Sequence, residues 1–342
     1  MAKNGYLRNF LKYGLSFSFA IAILYLLFQH QNPVELFEEI KKVEMNWVLL
    51  SMVFGGWAYV SRGLRWILLI DALGYNCAKS NSIASVSIGY FTNLFIPRAG
   101  EISRCTALNQ AEKIPVDKLF GTILIERVID FIFLLALILL TFFLKLDDLL
   151  NFLTTLQSHQ GNEGLDKTVF IFLGVIASLI IGFVLLKKKL KKSVLYSKIL
   201  KFIDGLKEGF KSIKKIKRKS VFWMHTFIIW IMYFLMTYIC FFSMAETTSL
   251  TIADGLFILV LGGIGMVIPT PGGVGSYHAI VMIGLAVLGV GFINLNPPDG
   301  EINPALVFPT VVHVAQTLVA IIMGLISLIV LFLSKKKFDV ES

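Results

Sequence analysis

The sequence is poor in the residues from which soluble catalytic and metal sites are usually built. It has three cysteines and five histidines in 342 residues, and only 16% of its residues are charged. No cluster of His, Cys, Asp and Glu has metal-ligand spacing. No P-loop, G-x-S-x-G elbow or dinucleotide-binding motif is present. We therefore expect no metal, no cofactor and no soluble catalytic domain.

Long apolar runs take the place of such motifs. Hydrophobic residues make up 56% of the chain, and they are concentrated in uninterrupted runs near or above the roughly 20 residues that a bilayer crossing needs. The clear spans are residues 10–28, 47–70, 119–144, 168–186, 221–243 and 304–333. The sequence therefore predicts an all-α polytopic membrane protein with about six full transmembrane helices.

Lysine and arginine predict the orientation of these spans. Residues 187–219 contain fourteen Lys and Arg against Asp204 and Glu208, a net charge of +12. The N-terminus and the final "SKKKF" are also basic, whereas loops 29–46 and 145–167 are acidic. Because cytoplasmic loops carry the excess of Lys and Arg, we expect both termini in the cytoplasm of a bacterial-type inner membrane.

Two further apolar segments, 80–113 and 251–293, contain helix-breaking residues. Termini on one side require an even number of full crossings, so each of these segments should enter and leave on the same face. The first would be re-entrant from inside and the second from outside. The second is also apolar enough to form two short full crossings, and the sequence leaves that alternative open.

The two breaks resemble each other. In "NLFIPRAGEIS" (93–103) and "GMVIPTPGGVG" (265–275), Pro97 matches Pro269 and Gly100 matches Gly272 at one offset of 172 residues. Paired Gly/Pro-interrupted segments at corresponding positions are typical of inverted-repeat transporters. We expect one membrane domain with repeat one over 10–186, a basic segment over 187–219 and repeat two over 221–333. A coincidental match between two ordinary loops is the alternative.

The breaks are also the predicted substrate site, because a new helix N-terminus after each break favours anions. Thirteen site residues belong to the breaks: Asn93, Pro97, Arg98, Gly100, Glu101 and Arg104 in the first, and Pro269, Pro271, Gly272, Gly273, Gly275, Ser276 and His278 in the second. Together, Arg98 and Arg104 would hold an anionic headgroup. Alternatively, the first set is a cytoplasmic loop that carries ordinary positive-inside charge.

Five ionisable residues inside predicted spans complete the site. They are Arg62 and Arg65 in span 47–70, and Glu126, Arg127 and Asp130 in span 119–144. The two arginines share a helix face and suit a lipid phosphate, or else they reach the inner headgroups. For the carboxylates, Arg98 and Arg104 are the expected cationic partners, and a purely structural ion-pair network is the alternative.

Two features remain. His278, and His313 in the last span, are candidates for a proton relay. In 187–219, apolar residues recur every three or four positions on a lysine-rich background, as in Leu195, Ile199 and Phe202. This pattern predicts a basic amphipathic helix on anionic inner-leaflet lipids rather than a nucleic-acid-binding segment.

Four motifs in order resemble one known family. "SRGLRW" (61–66), "NLFIPRAGEISR" (93–104), "ERVIDF" (126–131) and "PTPGGVGSYH" (269–278) are similar to the lysylphosphatidylglycerol synthase transmembrane family. This family includes the flippase-like membrane domain of aminoacyl-phosphatidylglycerol synthases. The resemblance implies a domain that translocates or handles lipids. The soluble aminoacyl-transferase domain of those synthases does not follow the last span, so synthase activity is not expected here.

The sequence thus favours a lipid translocator for a phospholipid-type, aminoacylated or isoprenoid-linked headgroup. One alternative is an enzyme related to phosphatidylglycerol lysyltransferase, namely a lipid-linked transferase with Glu126 or Asp130 as base. Another is a membrane subunit that anchors a separately encoded soluble enzyme.

Overall fold

The fold is known from a computed structural model, which describes residues 2–158, 216–293 and 302–341. These residues form eleven α-helices. The helices are α1 (Ala2–Phe28), α2 (Pro33–Lys42), α3 (Met45–Asp71), α4 (Lys79–Phe95), α5 (Gly100–Glu112), α6 (Val116–Leu144), α7 (Leu146–Ser158), α8 (Lys219–Tyr238), α9 (Ile252–Val267), α10 (Ser276–Val287) and α11 (Pro304–Glu341). Short 3-10 turns extend α8 over Ile239–Ser243 and lie between α9 and α10 at Pro271–Gly273. The chain is therefore all-helical across its described part, as the sequence predicts.

Five of the six predicted spans coincide with long helices, namely α1, α3, α6, α8 and α11. By length and apolar composition, two of the described stretches qualify as membrane spans, Lys219–Ser243 and Pro304–Ser334. A third qualifies if α1 and α2, which are bent by 85° relative to each other, count as one span. The predicted span 168–186 and the amphipathic stretch of 187–219 up to residue 215 lie outside the described residues.

The two acidic segments that were predicted as loops each contain a helix. Helix α2 begins where the Asn32 side chain accepts the Val34 N–H at 3.0 Å, and Leu36 and Ile40 pack on the core. Helix α7 occupies 13 of the 23 residues of 145–167. The prediction of loops was wrong there because it counted charge and did not test for the helical spacing of the leucines and isoleucines.

Each broken segment forms a helical hairpin in which the two arms pack against each other. Helices α4 and α5 pair around residues 96–99, the first break, and α9 and α10 pair around residues 268–275, the second break. Glycine permits both close approaches. A Cβ on Gly89 would lie 2.9 Å from Gly100 O, and a Cβ on Gly265 would lie 2.9 Å from Tyr277 Cα.

The packing between the two halves of the chain is reciprocal. Helix α3 packs along α8, α4 packs against α11, and α9 packs against α6. The third residue of each hairpin is tied to the far end of its partner helix. Asn81 of α4 donates to Ser334 of α11 at 2.7 Å, and Asp254 of α9 pairs with Lys145 at the end of α6. Each hairpin is thus anchored to a long helix of the other half, α11 for the first hairpin and α6 for the second.

Candidate functional site

The two breaks meet at a large cavity. Its volume is about 1300 Å³, and both hairpins, α3, α6, α8 and α11 contribute to its walls. Ten of the eighteen predicted site residues line it: Arg62, Asn93, Pro97, Arg98, Glu101, Arg127, Asp130, Pro269, Gly272 and Gly273. Seven of them lie within residues 62–130 and three within residues 269–273, so more than 130 residues of chain separate the two groups. Folding brings both groups to the walls of one cavity.

The first break is held by its own polar side chains. Asn93 Oδ1 accepts the Gly100 N–H at 2.7 Å and so caps the start of α5. Arg98 has a left-handed backbone conformation, with a φ of 61°. Its Nη2 donates to the Val267 carbonyl at 2.9 Å, at the C-terminal end of α9. Helix ends leave carbonyls without helical partners, so this hydrogen bond joins the two breaks through a group that needs a donor.

The second break is held from three sides. The hydroxyls of Thr270 and Ser276 are 2.8 Å apart across it. From α1, Ser16 Oγ donates to the Pro269 carbonyl. From α11, His313 Nε2 lies 2.9 Å from Gly272 O and is the donor in that contact. Since Gly272, Gly273 and Gly275 all have positive φ angles, the glycines predicted here are required by the backbone.

A buried ion network lies beside the cavity, between α3, α5 and α6. Arg62 Nη1 and Arg65 Nη1 lie 2.8 and 2.9 Å from the two carboxylate oxygens of Asp130. Arg104 Nη2 lies 2.9 Å from Glu126 Oε2, and Arg65 Nε lies 3.4 Å from Glu126 Oε1. Arg65 and Glu126 are fully buried, and Arg62 and Arg104 are 4% exposed. Most of the network is therefore shielded from solvent, and Arg62 and Asp130 form its edge toward the cavity. Ion pairs in such a low-dielectric environment are more strongly coupled than in water.

This network corrects the predicted pairing of charges. Arg104 binds Glu126, as expected, and its guanidinium stacks 3.9 Å above the Trp66 ring. Within the described part of the chain, Arg98 makes no ion pair, and Asp130 takes Arg62 and Arg65 instead. The prediction that Arg98 serves the carboxylates was wrong because it considered only the first hairpin. Helix α3 supplies the partners, and only tertiary packing places it against α6.

The buried charges do not balance. Three arginines (Arg62, Arg65, Arg104) face two carboxylates (Glu126, Asp130), which leaves a net charge of +1. Several of the buried nitrogen and oxygen atoms have no hydrogen-bond partner within the described residues, among them Arg65 Nη2 and Arg104 Nε. A buried cluster with surplus positive charge favours an anion nearby.

Arg127 and Glu101 form a looser pair at the edge of the cavity. Arg127 Nε lies 3.7 Å from Glu101 Oε1 and its Nη2 lies 3.9 Å from Asp130 Oδ2. The side chains of Arg127 and Glu101 are 44% and 36% exposed. With Arg98, which is also exposed, they form a charged rim that is accessible from the cavity.

The other eight predicted residues do not line the cavity. Arg65, Arg104 and Glu126 lie in the buried network. Gly100 packs against α4, and Gly275 packs against α1, where a Cβ would lie 2.9 Å from Ala20 O. Pro271, Ser276 and His278 are buried behind the second break. These residues shape or support the site instead of facing its interior.

The two candidate relay histidines are neighbours. The rings of His278 and His313 are 4.9 Å apart between centroids, and each is 5% exposed. His313 lines the cavity and His278 does not. His278 Nδ1 has no hydrogen-bond partner within the described residues. The structure therefore brings the pair together at the second break, and the relay itself stays a prediction.

An aromatic wall of the cavity was not foreseen. Tyr59 and Tyr90 stack with centroids 4.1 Å apart, and the Tyr90 hydroxyl lies 2.8 Å from that of Tyr233. The Tyr233 ring lies 5.8 Å from the Arg62 guanidinium, and Trp230 is one turn away on α8. In the sequence, Tyr59 and Arg62 are three residues apart, as are Trp230 and Tyr233, so each pair shares a helix face. This spacing is common in membrane helices and does not by itself predict a cavity wall.

Comparison with known proteins agrees with this architecture. The family model described as "Lysylphosphatidylglycerol synthase TM region" matches residues 11–293. The chain belongs to this family. Its match includes both hairpins and every residue of the ion network. Consistent with membership, the described helices and the apolar spans place the protein in a membrane.

Two curated relatives extend over most of the chain. UPF0104 membrane protein MJ1595 of Methanocaldococcus jannaschii is 25% identical over 317 residues, which cover 84% of this chain and 88% of the relative. A UPF0104 membrane protein of Methanothermobacter thermautotrophicus is 24% identical over 279 residues, covering 76% and 80%. No solved structure matches the chain.

Proposed function

We propose that the protein binds the headgroup of a phospholipid-type lipid in the cavity between the two breaks and moves it across the membrane. The single observation that carries the proposal is the composition of this cavity. Arginines occupy one side, and apolar side chains such as Leu124, Leu134 and Leu259 line much of the remainder. A lipid has the same two-part chemistry, a charged phosphate and apolar tails.

The proposed membrane topology has six full crossings and two re-entrant hairpins. Helices α4, α5, α9 and α10 have 17, 13, 16 and 12 residues. At 1.5 Å per residue they reach about 18–26 Å, short of the roughly 30 Å hydrocarbon core. Their reciprocal anchoring, α4 to α11 and α9 to α6, supports an inverted repeat. Both termini and 187–219 would face the cytoplasm of an inner membrane, with 187–219 on anionic lipids.

The two helix breaks place irregular backbone at membrane depth, and the proposed lipid movement depends on them. Such backbone is tolerated only where protein or a water-filled cavity satisfies its polar groups. Here Arg98 of the first break donates to the Val267 carbonyl at the end of α9, and His313 of α11 donates to the Gly272 carbonyl in the second break. Rocking of one repeat against the other would break and remake such contacts and expose the cavity alternately to each face.

The contacts of Glu126 and Asp130 disfavour the enzymatic alternative. A lipid-linked transferase would need Glu126 or Asp130 as base, yet each lies within 3.4 Å of guanidinium groups from two arginines. These ion pairs would have to be broken before either carboxylate could serve as a base. We therefore propose a non-enzymatic function. Metal-dependent turnover by the purified protein would contradict it, and a stable complex with a soluble enzyme, without lipid movement, would favour an anchoring subunit.

The decisive experiment measures lipid retention and movement together. Lipids that stay bound after mild detergent extraction are identified by native mass spectrometry, and movement of the same labelled lipid is followed in proteoliposomes. Arg98→Ala should weaken retention about tenfold, the scale of a charge-assisted hydrogen bond. Arg98→Lys should rescue only partly, since an ammonium cannot offer two parallel N–H groups.

The matched control is Lys118→Ala, which removes another exposed cation from the cavity lining. Because Ala and Arg both carry a Cβ, Arg98→Ala leaves the cost of the left-handed backbone unchanged. Movement by Arg98→Ala at the parent's rate would refute the assignment of the site. A parent protein that retains and moves no lipid would refute the function.

A further inference from the structure

The arginines near the cavity fall into two groups by how firmly they are held. Arg62, Arg65 and Arg104 are at most 4% exposed, and each has a carboxylate oxygen within 2.9 Å. A phosphate could reach them only after those ion pairs were broken in a desolvated environment, which is costly. We therefore assign the three buried arginines a structural role beside the site and not direct binding of the phosphate.

Arg98 and Arg127 form the second group, because both are exposed and line the cavity. Arg98 comes from the first break and Arg127 from α6. In the described part of the chain, the charged contacts of Arg127 are long, at 3.7 Å to Glu101 and 3.9 Å to Asp130. The pair with Glu101 is exposed on both sides, and exposed pairs of this length contribute little energy and exchange readily. These two guanidinium groups are the ones that a headgroup can reach.

Glu101 comes three residues after Arg98 in the chain, lines the same cavity and is in ion-pair contact with Arg127. A carboxylate and a phosphate offer the same acceptor geometry to a guanidinium fork. We infer that Glu101 is a tethered competitor in the headgroup site, which pairs with Arg127 until the phosphate of a bound lipid displaces it. This inference rests on the proposed function and makes Arg127 a second ligand for the phosphate, beside Arg98.

Such a competitor has a consequence for transport. Two exposed arginines with no carboxylate nearby would hold an anionic headgroup tightly in every conformation and so delay its release. Because Glu101 returns to Arg127 when the phosphate leaves, it offsets part of the lost interaction at the moment of release. Binding is thereby weakened, but exchange between lipid and protein is faster.

The test titrates the detergent-solubilised protein with phosphatidylglycerol and measures the dissociation constant by native mass spectrometry. Glu101→Gln should lower that constant by about two- to fivefold, the range expected for an exposed ion pair. Arg127→Gln should raise the dissociation constant. In the background of Arg127→Gln, adding Glu101→Gln should no longer lower it. An unchanged or raised constant in Glu101→Gln, or a gain that persists without Arg127, would overturn the inference.

Two further variants separate competition from other roles of Glu101. The residue also lies in the first turn of α5, where an acid stabilises the helix. Glu101→Asp keeps that charge but shortens the reach to Arg127, so it should also tighten lipid binding; parent-like binding would contradict competition. Asp117→Asn removes a different cavity carboxylate, ten residues or about 15 Å along α6 from Arg127, and should leave the constant unchanged. An equal gain there would indicate general electrostatics instead.

Inorganic phosphate is the last arm. Suppose that phosphate binds with the same dependence on Glu101 and that phosphatidylglycerol does not bind. The site would then take free phosphate, which would support the competition by Glu101 and refute the proposed function. If phosphatidylglycerol binds the parent protein and Glu101→Gln changes nothing, the inference fails alone.

Discussion

Replacement of Glu126 by glutamine gives the sharpest test of the ion network. The side chain keeps its shape but loses its charge, so three buried arginines would face Asp130 alone. Arg65, which is fully buried, and Arg104, which is 4% exposed, would each lose their contact with Glu126. The net charge of the cluster would rise from +1 to +2.

The expected cost is large compared with the stability of a typical protein. Breaking a buried ion pair by removal of one partner costs about 3–5 kcal/mol, against a total of roughly 5–15 kcal/mol. We therefore expect Glu126→Gln to lower the free energy of unfolding by about 3 kcal/mol or more. The measurement is unfolding of the protein in mixed micelles by titration with sodium dodecyl sulfate, followed by circular dichroism.

A double-mutant cycle with Arg104→Gln supplies the refuting result. If the pair is real, the double variant should be more stable than the sum of the two single changes predicts, by about 1 kcal/mol or more. Glu38→Gln, which removes an exposed pair with Lys41, serves as control and should change stability by less than about 1 kcal/mol. Parent-like stability of Glu126→Gln, or a coupling energy near zero, would show that the network is not formed.

Two other predictions concern packing and topology. Gly100→Ala should destabilise the protein by about 1–3 kcal/mol in the same assay, because its Cβ would lie 2.6 Å from Asn93 Nδ2 and against Gly89 O; Gly56→Ala, whose Cβ meets nothing within 4 Å, is the control, and equal stabilities would argue against the tight α4–α5 hairpin. In a variant without native cysteines, an impermeant maleimide applied to intact cells should label Ser158→Cys but neither Ser193→Cys nor Ser342→Cys, and labelling at Ser342→Cys would contradict the six-crossing topology.

Much of the helical architecture could be predicted because a membrane helix is formed by one continuous apolar run of the sequence. Apolar runs gave the positions of α1, α3, α6, α8 and α11, and the prolines and glycines gave both breaks. Helices α2 and α7 were missed because their amphipathic spacing is short and lies within acidic segments. A charge count describes the side of the membrane on which a segment lies, but it does not describe its conformation.

The sequence by itself determined which residues are chemically exceptional in this protein. Pro97 and Pro269 cannot continue a helix, and Arg62, Glu126 and Asp130 are too costly in an apolar span to be there without partners. Both properties belong to the residue and its immediate neighbours. They can therefore be read from the chain before any fold is known.

Only the tertiary structure decided which of these residues act together. It paired Asp130 with α3 instead of with Arg98, moved Arg104 out of the cavity, and left Arg98 and Arg127 exposed to it. It also assembled Tyr59, Tyr90 and Tyr233 from three helices into one wall. The physical reason is that an ion pair or an aromatic stack depends on distances of 3–5 Å between side chains far apart in sequence. Those distances are set by how whole helices pack, and no local pattern encodes them.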